Sequence, residues 1–140
     1  MPQPIAYLSF NGNCEDAMRF YAQALDGKLE ALVRNADSPW AEQTPPEHLQ
    51  RVMHARLALD GNGVLYGGDC PPVMPYEGIK GMSLTLNYDT IEEAQRAFNA
   101  LADGGTVTMP MQPAFWAKSW GMLVDRFGTP WIVNGVLLPV

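Results

Sequence analysis

Residues Cys14–Gly27 read CEDAMRFYAQALDG, and residues Ile91–Gly104 read IEEAQRAFNALADG. With Cys14 laid on Ile91, an offset of 77, Glu15 falls on Glu92, Ala17 on Ala94, Arg19 on Arg96, Asp26 on Asp103 and Gly27 on Gly104. Each copy has the spacing of an amphipathic helix. Ala17, Phe20, Tyr21, Ala24 and Leu25 make one apolar stripe, and Ala94, Ala97, Phe98 and Leu101 make the other. Asn13 is placed to cap the first helix, and Thr90 with Glu93 spells a capping box for the second. Gly27 and Gly104 are placed to end them.

The same order surrounds both helices. The strand-like runs IAYLSFN and MSLTLNY precede them, and KLEALVR and TVTMPM follow. A hairpin closes each half. VMHARLALDGNGVLYGGD turns at Asp60–Gly63 and WGMLVDRFGTPWIVN at Asp125–Gly128, both with the D-x-x-G spacing of loops built around a type I turn. The reading is one α+β domain over residues 1–140, made of two βαβββ modules over 1–70 and 80–136 and parted by the Pro- and Gly-rich CPPVMPYEGIKG at 70–81. One βαβββ unit has a helix for only one face of its sheet. A second copy supplies a wall for the other face, which predicts a curved, cup-like mixed sheet with the helices outside. The longer loop Ala36–Gln50 interrupts the first half as a lid or an oligomer contact.

Composition sets the class. The chain is 47% hydrophobic and 17% charged, which is globular rather than disordered. It has no run of the ~18 apolar residues that a membrane span needs. The opening MPQPIAYLSF lacks a basic segment and a small-residue cleavage site, so a soluble cytoplasmic protein is expected, without a membrane partner. A net charge of −6 repels phosphate backbones and argues against nucleic acid, and it would attract a cationic small molecule. Cys14 and Cys70 form no C-x-x-C pair. Cys14 opens a helix, where the dipole can lower a thiol pKa. Glu15 and Asp16 beside it act the other way, so Cys14 reads as a small helix-start residue.

RFYAQALDG in a paired βαβββ frame resembles the vicinal oxygen chelate superfamily, the glyoxalase and bleomycin-resistance fold. The opening YLSFNGNC, MHA at 53–55, YEGIKG at 76–81, FWA at 115–117 and the closing DRFGTPWIVN are similar to the PhnB-like proteins, often labelled 3-demethylubiquinone methyltransferase-like. The resemblance spans nearly the whole chain. It does not carry the methyltransferase label, because no strand is followed by a G-x-G turn that could open a nucleotide-binding unit. It does imply a divalent metal held by His, Gln or Glu, two from each module. One ligand lies on the module's first strand and one lies four residues past the hairpin glycine. Strand alternation puts Ala6, Leu8, Phe10, Met82, Leu84 and Leu86 toward the helices. It leaves Tyr7, Ser9, Asn11, Ser83, Thr85 and Asn87 for the cup, at an offset of 76. One extra residue in the turn NGNC accounts for the change from 77. The ligand positions then read Tyr7, Gly67, Ser83 and Ile132, none of them an ordinary ligand for zinc, nickel, iron or manganese, so no metal and no other cofactor is expected.

The same alternation selects the remaining cup residues. His54 and Arg56 lie opposite Met53, Ala55 and Leu57. His54 is either a base or hydrogen-bond anchor, or a histidine satisfied within the sheet. Arg56 is suited to an anionic group or to a carboxylate such as Asp69, which shares the parity of Leu65 and Gly67. In the second half Ser119, Gly121 and Leu123 are assigned to the cup with Asn134 at its far end, while Trp120 and Trp131 are assigned to the helix side. Phe115 and Trp116 precede the strand as a cap or a seam, and His48 reads as a solvated loop histidine beside Glu42 and Glu47. The candidate binding set is therefore Tyr7, Ser9, His54, Arg56, Asp69, Ser83, Thr85, Ser119 and Ile132. The leading expectation is a homodimer that binds a small organic molecule in the cup, as bleomycin-resistance proteins do without metal. The alternatives are a lyase, isomerase or dioxygenase-type enzyme using His54 and Arg56 on a small oxygenated substrate, and an interaction module whose cup is filled by side chains.

Overall fold

The computed structural model describes residues 2–71 and 74–139; Pro72 and Val73, within the expected linker, lie outside them. The chain divides between Gly78 and Ile79 into two compact units. In the first the order is β1 (Tyr7–Phe10), α1 (Cys14–Ala24), β2 (Lys28–Arg34), β3 (Val52–Ala58) and β4 (Val64–Asp69). In the second it is β5 (Leu84–Tyr88), α2 (Ile91–Ala102), β6 (Thr106–Ala114), β7 (Ala117–Val124) and β8 (Pro130–Leu137). The sheets run β1-β4-β3-β2 and β5-β8-β7-β6. β1 lies parallel to β4 and β5 to β8, and every other pairing is antiparallel, so the mixed topology is two open four-stranded sheets, one per module. Three residues part β1 from α1 and two part β5 from α2, which is the one-residue difference that the two offsets require.

Each helix covers one face of its own sheet. Leu8, Phe10, Ala55 and Leu57 are buried with Cys14, Ala17, Met18 and Tyr21 of α1. Leu123, Trp131 and Val133 are buried with Ala94, Ala97, Phe98 and Leu101 of α2. Burying each of the larger of these side chains is worth about 1.5–3 kcal/mol. The helices come close to the glycines of the strands beneath them. A Cβ on Gly67 would stand 3.2 Å from Met18 Sδ and 3.5 Å from Cys14 Sγ. One on Gly121 would meet Phe98 at 2.8 Å, and one on Gly135 would meet Ala94 Cβ at 3.0 Å.

The repeated helices start differently. Thr90 caps α2, with Glu93 N–H donating to Thr90 Oγ1 at 3.1 Å and Thr90 Oγ1–H donating to Glu93 Oε1 at 2.9 Å; the return bond from Glu93 to the Thr90 N–H that would complete a capping box is not among them. At α1 the Asn13 side chain makes no cap bond. Asp69, at the end of β4, does that work: Oδ1 accepts from Gly12 N at 2.8 Å and Cys14 N at 3.0 Å, and Oδ2 accepts from Val52 N at 2.8 Å. A carboxylate at a helix N-terminus is also favoured by the dipole.

The long loop carries single 3-10 turns at Asn35–Asp37, Ala41–Gln43 and Pro46–His48. Its neck is tied by Asn35 N–H to Arg51 O and Ala36 N–H to Leu49 O, both 2.9 Å.

Candidate functional site

In the first sheet the face turned away from α1 gathers the polar chemistry. Register places Tyr7 opposite Tyr66, Ser9 opposite Gly68 and Arg56 opposite Tyr66, with His54 two residues along β3. The rings of Tyr7, His54 and Tyr66 form a cluster. His54 and Tyr66 centroids are 5.1 Å apart, Tyr7 and His54 6.0 Å, and Tyr7 and Tyr66 6.4 Å. Tyr7 is nonetheless 51% exposed.

Hydrogen bonds hold two of the three rings, those of Tyr7 and Tyr66. The Tyr7 hydroxyl donates to Met53 O at 3.1 Å. A Cβ on Gly68 would stand 2.6 Å from that hydroxyl, so glycine makes its seat. Burial, then the electrostatics of Cys14 and Asp69, push the Tyr7 phenol up, which keeps it a donor. Arg56 Nε donates to Glu30 Oε1 at 2.8 Å and Nη1 to the Tyr66 hydroxyl at 3.1 Å, with the guanidinium carbon 5.8 Å from the Tyr66 ring centroid. Neither ring nitrogen of His54 and not Arg56 Nη2 has a hydrogen-bond partner among the described residues. The face can stack a planar group and hydrogen-bond it.

Several sequence assignments are corrected. Asp69 turns inward to hold the α1 entry, and Arg56 pairs with Glu30 instead. Leu65 and Gly67 lie on the α1 side with buried Leu57 and Ala55 opposite them, so β4 shows its Tyr66 and Gly68 parity to the open face. The same inversion occurs on β7. Ser119 is buried and pairs with Gly135 beneath α2, and Gly121 and Leu123 share that side. Trp120 takes the other face, where it pairs with Asn134 and meets the Trp116 ring at 5.2 Å. Trp131 does point to the core, at 1% exposure, with its indole N–H on Asp125 Oδ2 at 2.8 Å. The open face of the second sheet holds Thr85 beside Ile132, and Asn87 beside Asn134. Asn134 Nδ2 donates to Asn87 Oδ1 at 3.0 Å and its Oδ1 accepts from Trp116 Nε1 at 3.2 Å. Ser83 stands exposed just ahead of β5. Cys14 is buried, and burial, then Asp69 and Glu15, push its thiol up to about 12, far from a nucleophile's range.

Tyr66, Glu30 and Gly68 were missed from sequence. Tyr66 and Gly68 follow once β4 is read by size, since the small Gly67 lies where α1 comes close. Glu30 lies at a register shift between Leu29 and Ala31, where alternation fails.

The donor set does not fit the metal that the superfamily resemblance implies. Tyr7 spends its proton on a backbone carbonyl, Gly67 has no side chain and lies under α1, Ser83 precedes its strand, and Ile132 is apolar. Among the described residues no three His, Cys, Asp or Glu side chains are grouped to hold an ion.

Paired βαβββ units with the helix on one face of each sheet define a protein of the glyoxalase/bleomycin-resistance fold. A chain from Frankia described as a glyoxylase/bleomycin resistance protein/dioxygenase domain shares that fold, with TM-score 0.68 and 15% identity over 100% of this chain and 98% of that one. Within that class the chain belongs to the family described as 3-demethylubiquinone-9 3-methyltransferase, whose model matches residues 2–134, and it is a PhnB-like member. It is 31% identical over 138 residues to Protein YjdN of Escherichia coli, covering 93% of this chain and 92% of YjdN. Protein PA1353 of Pseudomonas aeruginosa is similar at 49% identity and TM-score 0.89, over 97% of this chain and 98% of that one. A Bacillus cereus PhnB protein, called a putative 3-demethylubiquinone-9 3-methyltransferase, follows at 25% identity and TM-score 0.78, over 96% and 100%.

Proposed function

We propose that this PhnB-like protein binds a small planar organic molecule on the open face of its first sheet, without the divalent metal of the wider superfamily. The ring cluster of Tyr7, His54 and Tyr66, bordered by the Arg56–Glu30 pair, carries the reading. Three rings that hold polar groups at the same face give a flat ligand both contact area and orientation. Methyl transfer is not part of the proposal, because the helix entries read Asn11-Gly12-Asn13 and Asp89-Thr90, without the G-x-G-x-x-G turn of a dinucleotide-type site.

The test is a screen of planar organic fragments by NMR on chelator-treated protein. Hits that shift Tyr7, His54 and Tyr66 resonances, and that Tyr66→Leu abolishes, are the expected result. Hits confined to other surfaces, or binding that appears only with added divalent ions, would overturn the reading. The homodimer expected from the sequence joins the proposal, and its check is the mass in solution by light scattering.

A further inference from the structure

The donors and acceptors left free on the first-sheet face say which charge the ligand carries. Arg56 uses Nε on Glu30 and Nη1 on the Tyr66 hydroxyl, so its Nη2 protons remain open to a ligand. The Tyr66 hydroxyl accepts from Arg56 and keeps its own proton to give. An imidazole such as that of His54 offers a ring N–H and, in its neutral form, one acceptor nitrogen. Against these donors stands the Glu30 carboxylate, already bound by Arg56 at 2.8 Å.

A cation would use the π faces of the tyrosines. The Tyr66 ring already carries the Arg56 guanidinium at 5.8 Å, so a second positive charge there meets a like charge. The net charge of −6 favours a cation only at long range. At physiological salt the Debye length is about 8 Å, so contact chemistry outweighs that field.

Given that this face is the binding site, we infer that its ligand is a planar organic anion, an aromatic or conjugated carboxylate or enolate. Its ring lies among Tyr7, His54 and Tyr66, and its oxygens face Arg56 and the Tyr66 hydroxyl. Arg56 supplies the charge and Glu30 holds it in place.

Two matched probes separate this inference from the reading beneath it. 2-Naphthoate and 2-naphthylmethylammonium share a ring system and differ in charge, and each is titrated into the full chain in the presence of EDTA. Naphthoate is expected to shift the Tyr7, His54 and Tyr66 resonances, Arg56→Gln to weaken it at least ten-fold, and Glu30→Gln to tighten it several-fold, because the amide oxygen still holds Arg56 Nε while the competing negative charge is gone. Binding of the ammonium probe at these residues in preference to naphthoate would overturn the anion assignment and leave the face as a binding site. So would naphthoate affinity indifferent to both substitutions. Failure of both probes to touch these residues would overturn the assignment and the site together.

Discussion

Asp26 and Gly104 both hold left-handed backbone past their helices, at φ 53° and 77°. Gly104 does so without cost, whereas an L side chain pays about 1–2 kcal/mol for that conformation. Gly27, which looks like the equivalent stop in the sequence, serves a different need: a Cβ there would stand 2.8 Å from Ala58 O. Asp26→Gly should therefore raise stability by about 1 kcal/mol, read as a higher urea midpoint at unchanged slope. An unchanged midpoint would mean the repeat tolerates either residue at this turn. Asp69 is the opposite kind of acid. It satisfies Gly12, Cys14 and Val52 N–H groups at once, so it joins β4 to the entries of α1 and β3. Asp69→Ala leaves those donors unpaired and should cost about 2–3 kcal/mol. A loss below about 0.5 kcal/mol, within the scatter of an ordinary surface site, would contradict its placement.

At the scale of elements, Glu15 ties α1 to β2. Its carboxylate accepts from Arg34 Nη2 at 2.7 Å and from Arg19 Nε at 3.0 Å. The hydrogen bond from Arg34, then that from Arg19, lowers its pKa. A lowered folded-state pKa contributes stability that is present above the ordinary carboxylate range and is lost as pH falls through the lowered value. Because Glu15 is partly exposed, the contribution is no more than about 1 kcal/mol. Thermal unfolding of Glu15→Gln should thus be less stable than wild type at pH 7 and converge on it in acid; a gap that is constant with pH would contradict the linkage. The elements themselves were legible. Helix periodicity, the two D-x-x-G hairpins and the order βαβββ all follow from residues that act locally. The faces of β4 and β7 were not. The count from the hairpin glycine assigned Gly67 to the open side, and strand parity assigned Ser119 and Gly121 there, whereas all three lie beneath the helices, where the approach to Gly121 leaves no room for a Cβ. That reversal brought Tyr66 into the site and took Ser119 out. Asp69 was misplaced for a related reason: its partners are backbone N–H groups 17 to 57 residues away, which no local pattern announces.

For the molecule as a whole, family and fold leave the chemistry open. A βαβββ pair can present its open faces to a metal, to an organic ligand or to another chain, and the donor side chains decide among them. Here the first-sheet face offers rings and hydrogen-bond donors, and the positions from which the superfamily holds its ion offer a phenol engaged with a carbonyl, a glycine, a serine ahead of its strand and an isoleucine. No helix among the described residues is long and apolar enough to cross a membrane. The claim that this chain keeps the fold without the metal is tested most directly by elemental analysis of the untagged protein, purified without chelator and again after soaking with zinc, nickel, iron and manganese. The account predicts metal far below one equivalent in both preparations. Near-stoichiometric metal in either would contradict it.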